Sequence, residues 1–598
     1  MLQLILAISC FLVTERMVIL LKYLLLAEKP DQAKKYANAL GTPKNDKGVW
    51  RVQSSVLNAE VIVAPAVGHL VERINPYTNF ENWDMANLPA LPDGFAYEPK
   101  KDTVKRFKAI KQSVKEVDAI IIGTDPDREG EAIAYRILEL IPGALRKIKY
   151  RLWANSLTKK GLEQAFSSLK NPRDSINYFH EADARGDADW LVGFNLSPFV
   201  TIKMKEEGYL DKKEHSMSVG RVQTPIVSLI VRNDEAIESF KPSPYWQLKL
   251  IDSEAKVIFS NDIKYQSKAE AEQMLQQLSN IAVVKTVTSE EKVQEAPKLY
   301  NLTNFQSEMS KLYHFDATKT KELVQSLYQK GYLSYPRTDS TLITTNEFAY
   351  LVEHIDDYQK TINKKVETPN RSPRKNYVND KKVLEHYAII PTENIPDLNE
   401  LSDDEKLIYQ KVVFRTLLMF TPDYRYQSTS VILDNHGLEF KATGAVTKDK
   451  GWRNYLAVKK EDKELPNYQE GQEVSVECKL LEEMTKPPTR ITEQILLKKL
   501  LPKYNLGTSA TRDGMIDLIQ DKGYVTKNKK TGQFFPTERG KLLIHYLDQL
   551  EIAYTNPETT GKWEEVLAQI GQGKIQKEAF VNKIKWAITK QIEKGKQL

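Results

Sequence analysis

The stretch Asp118-Ala-Ile-Ile-Ile-Gly-Thr-Asp125-Pro-Asp127-Arg-Glu129-Gly-Glu131 constrains the fold more than any other part of this sequence. A short apolar run ends in acids, and Ile133, Ile137 and Ile141 then follow at four-residue steps, the repeat of one helix face. A second unit of the same kind is Lys22-Tyr-Leu-Leu-Leu-Ala-Glu28-Lys29-Pro30, followed by helical composition from Gln32 to Leu40. Strand then helix, twice, predicts an α/β domain with a mostly parallel sheet. In such sheets chemistry collects at the carboxyl ends of strands, where Glu28, Asp125 and Asp127 fall. Three carboxylates on one rim repel one another unless a cation joins them, and hard oxygen ligands select magnesium. A lone Asp-x-Asp is more simply an acid-enriched helix N-terminus. The separate Glu28-Lys29-Pro30 turn favours the cation. Glu129 and Glu131 are read as residues behind the ligands or at the helix start.

The second informative stretch is Gly331-Tyr-Leu-Ser-Tyr335-Pro336-Arg337-Thr-Asp-Ser340. Pro336 removes a backbone donor and holds Tyr335 extended, so the phenol is expected to be displayed at a strand end instead of buried in a ladder. Arg337, two residues on, shares its face. A phenol beside a guanidinium suits attack on a phosphate, with the fork of donors holding the phosphoryl oxygens. Read alone, the segment favours a core tyrosine with an Arg–Asp surface pair.

With 598 residues the chain is too long for one core. Lysine and arginine number 86 against 80 acids, a net charge of +6 that permits a polyanion partner without requiring one. The two cysteines, Cys10 and Cys478, exclude a disulfide framework and a four-cysteine zinc site within the chain. A reducing, cytoplasmic setting follows. No Walker loop is present, so no ATP chemistry is expected. The apolar start is interrupted by Glu15-Arg16, which argues against a membrane span; residues 1–17 are expected to be an N-terminal extension, with residues 1–16 lying upstream of a start at Met17.

Alternation of apolar and polar residues from Tyr245 to about Leu299 recurs from Tyr426 to Leu480, which predicts one β-rich domain split by an insertion that carries Tyr335. Within the insertion, Thr303-Asn-Phe-Gln306 reads as a capping box opening a helix with Phe305, Met309 and Leu312 on one face. Asp316 is expected to cap a second helix that Gly331 ends. An echo follows: Ala317-Thr-Lys leading to Lys330-Gly-Tyr-Leu is mirrored by Ala510-Thr-Arg leading to Lys522-Gly-Tyr-Val. A basic hairpin after the second copy suggests winged-helix modules. Thr361 to Lys382 reads as an irregular, mobile surface loop.

These residues carry a resemblance. Ala27-Glu28-Lys29-Pro30 with Thr124-Asp125-Pro-Asp127-Arg-Glu129-Gly-Glu131 resembles the Toprim domain of type IA DNA topoisomerases, and Tyr335-Pro-Arg337-Thr-Asp-Ser resembles the active-site tyrosine segment of that family. Gly68-His69-Leu70, Asp189-Trp190-Leu191, Ser218-Val219-Gly220-Arg221-Val222-Gln223-Thr224-Pro225 and His386-Tyr-Ala-Ile-Ile-Pro are similar to its further segments, in its order. Pro198 departs from the basic residue often found after the Asp-Trp-Leu helix. The resemblance implies a multidomain α/β and α+β core of toroidal shape: Toprim over 18–152, a helical, winged-helix-like DNA-binding domain over 153–238 and 480–598, a β-rich arch over 239–297 and 406–479, and a tyrosine domain over 298–405. It implies Tyr335 as nucleophile, with Arg337, Lys29, Glu28 and His386 assisting. Magnesium would be held by Glu28, Asp125 and Asp127, with Glu129 behind them. Glu28 serves as acid/base, as metal ligand or as both in turn. DNA contacts are implied for His69, Arg185, Trp190, Lys205, Ser218, Val219, Gly220, Arg221, Val222, Gln223 and Arg337. The implied partners are single-stranded DNA and negatively supercoiled or catenated duplex, with a helicase and a single-strand-binding protein alongside a monomeric enzyme. Pro336 and the want of zinc-ribbon cysteines point to the topoisomerase III branch, which implies a nucleoid-associated enzyme without zinc.

Overall fold

The computed structural model describes residues 21–74, 83–155, 157–211, 216–383, 386–456, 462–507 and 511–597. The expected extension over 1–17 and the alternative start Met17 lie outside these residues, as does Ala510 of the echo. The chain forms two compact units: Met1–Val219 with Lys562–Leu598, and Gly220–Gly561.

The first unit is built on a six-stranded sheet. In spatial order its strands are Lys44–Asp46, Val49–Ser54, Ala59–Pro65, Lys22–Ala27, Ala119–Gly123 and Ile148–Arg151. The last four run parallel, and the first two extend the edge antiparallel. Leu24, Leu25, Leu26, Ile120, Ile121 and Ile122 are wholly buried, as central strands covered on both faces require. The helix Pro30–Leu40 buries Gln32, Ala33, Tyr36, Ala37 and Leu40, which recur at three- and four-residue steps. The helix Arg128–Glu139 buries Ile133 and Ile137, and Ile141 joins the same core just past its end. A long helix, Ile176–Glu206, accommodates Pro198 in its interior and packs against the C-terminal helix Lys577–Gln597. Lys203 Nζ donates to the Gly595 carbonyl at 2.7 Å across that contact. No helix among the described residues is long and apolar enough to cross a membrane.

In the second unit, strands from the two alternating stretches close into one barrel. Its order is Ile258–Ser260, Leu438–Asp449, Tyr424–Asn435, Ile281–Gln294, Glu473–Met484 and Pro244–Asp252. Inward residues Leu248, Leu250, Phe259, Val284, Val431, Leu433 and Phe440 fill it. Between its third and fourth strands in sequence the chain leaves to build a separate helical core around Phe305, Met309, Val324, Leu327 and Leu417.

The helix Leu302–Tyr313 starts earlier than expected, because Asn301, not Thr303, accepts the capping N–H of Asn304. Thr303 is then inside the helix; Phe305 and Met309 are buried, whereas Leu312, in the last turn, is exposed. Asp316 caps Ala317–Lys330 by accepting from the Lys319 N–H, and Gly331 ends it at φ +84°. Asp316→Ala is expected to lower unfolding stability by about 1 kcal/mol in urea titrations.

After its helix Arg512–Asp521, the second echo copy forms the hairpin Val525–Lys527 with Phe534–Pro536, whereas the first makes only a single bridge, Leu333 to Pro391. Prolines at 336 and 391 deprive that ladder of donors, so the winged arrangement belongs to one copy alone. The stretch expected to be a mobile loop is irregular but anchored. Tyr377 is wholly buried and donates to the Ala296 carbonyl at 2.5 Å, and Arg374 pairs with Asp423 at 2.6 Å. Buried aromatic area and a charge-assisted contact outweigh its polar composition.

Candidate active site

Adjacent parallel strands end at Ala27 and Gly123, which pair directly, so Glu28 and Asp125 emerge side by side. Lys29 Nζ lies 3.1 Å from Glu28 Oε1 and 3.1 Å from Asp125 Oδ2. The Asp125 N–H donates to Glu28 Oε2 at 3.2 Å. Gln32 closes the arrangement, accepting the Glu28 N–H and donating to Asp125 Oδ1, both at 2.8 Å. Both carboxylates are buried, and Lys29 is partly open to solvent. Burial, reinforced by the negative charge of Asp125, holds the Tyr36 phenol protonated well above its usual range.

Of the three carboxylates expected to share a cation, Glu28 and Asp125 meet on one ammonium. Asp127 instead accepts the Gly130 N–H at 2.7 Å and caps the helix Arg128–Glu139. No group of three His, Cys, Asp or Glu side chains among the described residues gathers to hold a metal ion. Magnesium commonly takes only one or two carboxylates, with waters and a phosphate oxygen completing its shell, so the hard-oxygen pair fits that ion. Glu131 turns inward to Arg151, and both are wholly buried. Glu129 lies 3.6 Å from His69 Nε2, on the exposed side.

Gly130 is dictated by space. A Cβ there meets the Asp125 backbone, 2.1 Å from its carbonyl oxygen, and a backbone atom cannot swing aside as a flexible side chain would. Gly130→Ala is expected to cost about 1–3 kcal/mol and to displace Asp125. Thermal unfolding, with DNA cleavage measured in parallel, checks both effects.

Tyr335 lies in the second unit and is 1% exposed. The expectation of a displayed phenol at a strand end is therefore corrected: the tyrosine sits in an irregular segment and is buried. Extended backbone alone does not decide exposure, and here a neighbouring segment covers the ring. Ser334 fixes that segment in place: its N–H donates to the Ile390 carbonyl at 3.0 Å, its Oγ donates to Ala388 O at 2.9 Å, and the same oxygen accepts the Ile390 N–H. This places the His386 ring 4.5 Å from the Tyr335 ring, while Tyr328 meets it edge-on at 5.4 Å. Arg337 is half-buried.

The residues given DNA-contact roles divide in their placement. His69 is exposed, and Lys205 and Ser218 are half-buried. Trp190 stacks on Phe194 at 4.3 Å and meets Phe95 edge-on at 5.1 Å, so one of its faces is already covered. Arg185 pairs with Glu564. Val219 is buried, with its N–H on Ser197 Oγ at 2.9 Å. The Gly220 N–H donates to Thr224 Oγ1 at 3.0 Å at the start of the helix Gln223–Glu238. Val222 is half-buried, whereas Arg221 and Gln223 are buried, with Gln223 folded against Gly220.

Residues 173–582 match the DNA topoisomerase family, and residues 23–157 match the Toprim domain. The chain belongs to the type IA DNA topoisomerases. DNA topoisomerase 3 of Staphylococcus aureus (strain USA300) is 31% identical over 605 residues, covering 96% of this chain and 82% of that protein. DNA topoisomerase 3 of Bacillus subtilis (strain 168) is 30% identical over 608 residues, covering 94% and 80%. A solved structure of full-length topoisomerase I from Thermotoga maritima superposes with a TM-score of 0.69 at 22% identity, covering 96% of this chain and 90% of that one, which is a likeness of fold.

Two side chains of this topoisomerase's rim escaped the sequence reading. Gln32 was detectable as a polar residue on the buried face of its helix, one turn after Glu28. Arg151 was not. Its guanidinium donates to the carbonyls of Thr124 and Asp125 at 2.8 Å each and of Leu152 at 2.6 Å, clamping the acidic turn from beneath.

Proposed function

We propose that Tyr335 attacks a backbone phosphate of single-stranded DNA, forming a 5′-phosphotyrosyl bond as the bond to the 3′ oxygen breaks. The phenolic proton passes to a carboxylate, for which Glu28 is the candidate, and Lys29 supplies a proton to the departing 3′ oxygen. Arg337 neutralises charge building on the phosphoryl oxygens, and His386 braces the phenol. Glu28 and Asp125 would hold magnesium, which when bound supplies positive charge for the phosphate. The covalent link conserves the bond energy, so ATP is not needed. The 5′ end stays joined to Tyr335 while a second strand passes through the break, and the 3′ hydroxyl then attacks the phosphotyrosyl bond to reseal it.

The observation that carries this reading is the Glu28–Lys29–Asp125 cluster at paired strand ends in a chain of this family. Single-stranded regions of negatively supercoiled and catenated DNA are the proposed substrates in the cytoplasm, with a helicase and a single-strand-binding protein as partners. The test is an assay with magnesium and without ATP on both DNA forms. Relaxation in single linking steps together with decatenation is expected; linear product, or no topological change, contradicts the proposal.

A further inference from the structure

The helix Ala317–Lys330 ends at Gly331, just ahead of Tyr335, so whatever holds its first turns also holds the tyrosine segment. Those turns are docked by carboxylates from a distant stretch of the same compact unit. Glu493 accepts from the Ala317 N–H at 3.2 Å, from Ser310 Oγ at 3.3 Å and from Lys527 Nζ at 3.2 Å. Asp513 pairs with Lys321 and accepts from Thr318 Oγ1 at 3.4 Å, and Asp517 accepts from the same hydroxyl. One helix earlier, Arg512 Nη1 donates to Thr303 Oγ1 at 3.3 Å. Glu493, Arg512 and Asp513 are all buried.

A seam made of charge behaves differently from one made of apolar area. Desolvation cancels much of the attraction in a buried ion pair, so the contact specifies a geometry more than it adds stability. Asp513 Oδ1 is buried and accepts no hydrogen bond among the described residues. Opening the seam hydrates that oxygen and offsets part of the lost pairing. The closed arrangement is thus specific in register and inexpensive to leave.

We propose that Asp513, Glu493 and Lys321 are positioning residues that dock the tyrosine helix and set the balance between cleaved and resealed DNA. The inference rests on Tyr335 as the nucleophile. Once the strand is cut, loosening this docking lets the tyrosine and its 5′ end move away, which slows resealing while leaving DNA affinity intact.

The test uses the full chain with an oligonucleotide labelled at its 3′ end, reading the steady-state fraction of covalent adduct and the rate of resealing. Asp513→Asn and Lys321→Met should each raise the adduct fraction and slow resealing by about tenfold with KM unchanged. The paired exchange Lys321→Asp with Asp513→Lys should restore both. Thr318→Val, which leaves every charge in place, should shift both readings the same way by a smaller factor. Adduct fraction and resealing unchanged in all single variants would overturn the docking role. So would a parallel fall in cleavage and resealing that the exchange does not restore. An unaltered protein that forms no adduct overturns the nucleophile assignment and this inference with it; an unaltered protein that does, beside unresponsive variants, overturns the docking alone.

Discussion

Tyr335→Phe is expected to bind single-stranded DNA as tightly as the unaltered protein and to leave no covalent adduct on a denaturing gel, with relaxation reduced by at least about a thousandfold. The substitution removes one oxygen from a ring held against His386 and Tyr328, and those ring contacts persist without it. The backbone on either side is fixed through Ser334 and Thr338, whose hydrogen bonds do not involve the phenol. The lost group is the proposed nucleophile, while the ring packing and the flanking backbone bonds stay in place. An adduct surviving this change contradicts the assignment.

Arg151→Met is expected to destabilise the Toprim sheet by about 3–5 kcal/mol, because it leaves the wholly buried Glu131 carboxylate unpaired. It also strips donors from the carbonyls of Thr124 and Asp125, the turn that aims the Asp125 carboxylate. Urea dependence of hydrogen exchange in the strand Ala119–Gly123 measures the loss. Adding Glu131→Leu should recover only part of it, since removing the orphaned charge does not replace the donors. Full recovery would show that the ion pair, and not the carbonyl clamp, is what Arg151 contributes.

What was legible in the sequence was what local periodicity encodes. The strand–acid–helix units around Glu28 and Asp125 announced a parallel sheet because apolar runs and four-residue steps are short-range signals. Alternation revealed the strands of the second unit, but closure into a barrel depends on pairing between strands far apart in sequence, such as Ile281–Gln294 with Tyr424–Asn435. The burial of Tyr335 was illegible for the same reason: the His386 ring packed against it comes from a segment some fifty residues away that Ser334 ties in through Ala388 and Ile390. The turning of Asp127 to its own helix was foreseeable as the plainer reading of Asp-x-Asp, and a backbone N–H within reach favoured it. Arg151 gave no signal, because it ends an outer strand with basic neighbours and meets its partners only in three dimensions.

The central claim is that Tyr335, and no other hydroxyl, carries the broken strand. Tyr328 and Tyr332 lie close by in sequence, so the claim is specific. The most direct measurement traps the covalent complex with an oligonucleotide, digests it with nuclease and trypsin, and locates the residual nucleotide by mass spectrometry. The account predicts a nucleotide joined through its 5′ phosphate to Tyr335 in the peptide spanning Gly331 to Arg337. A nucleotide on Tyr332 or Tyr328, or one joined through a 3′ phosphate, would contradict it.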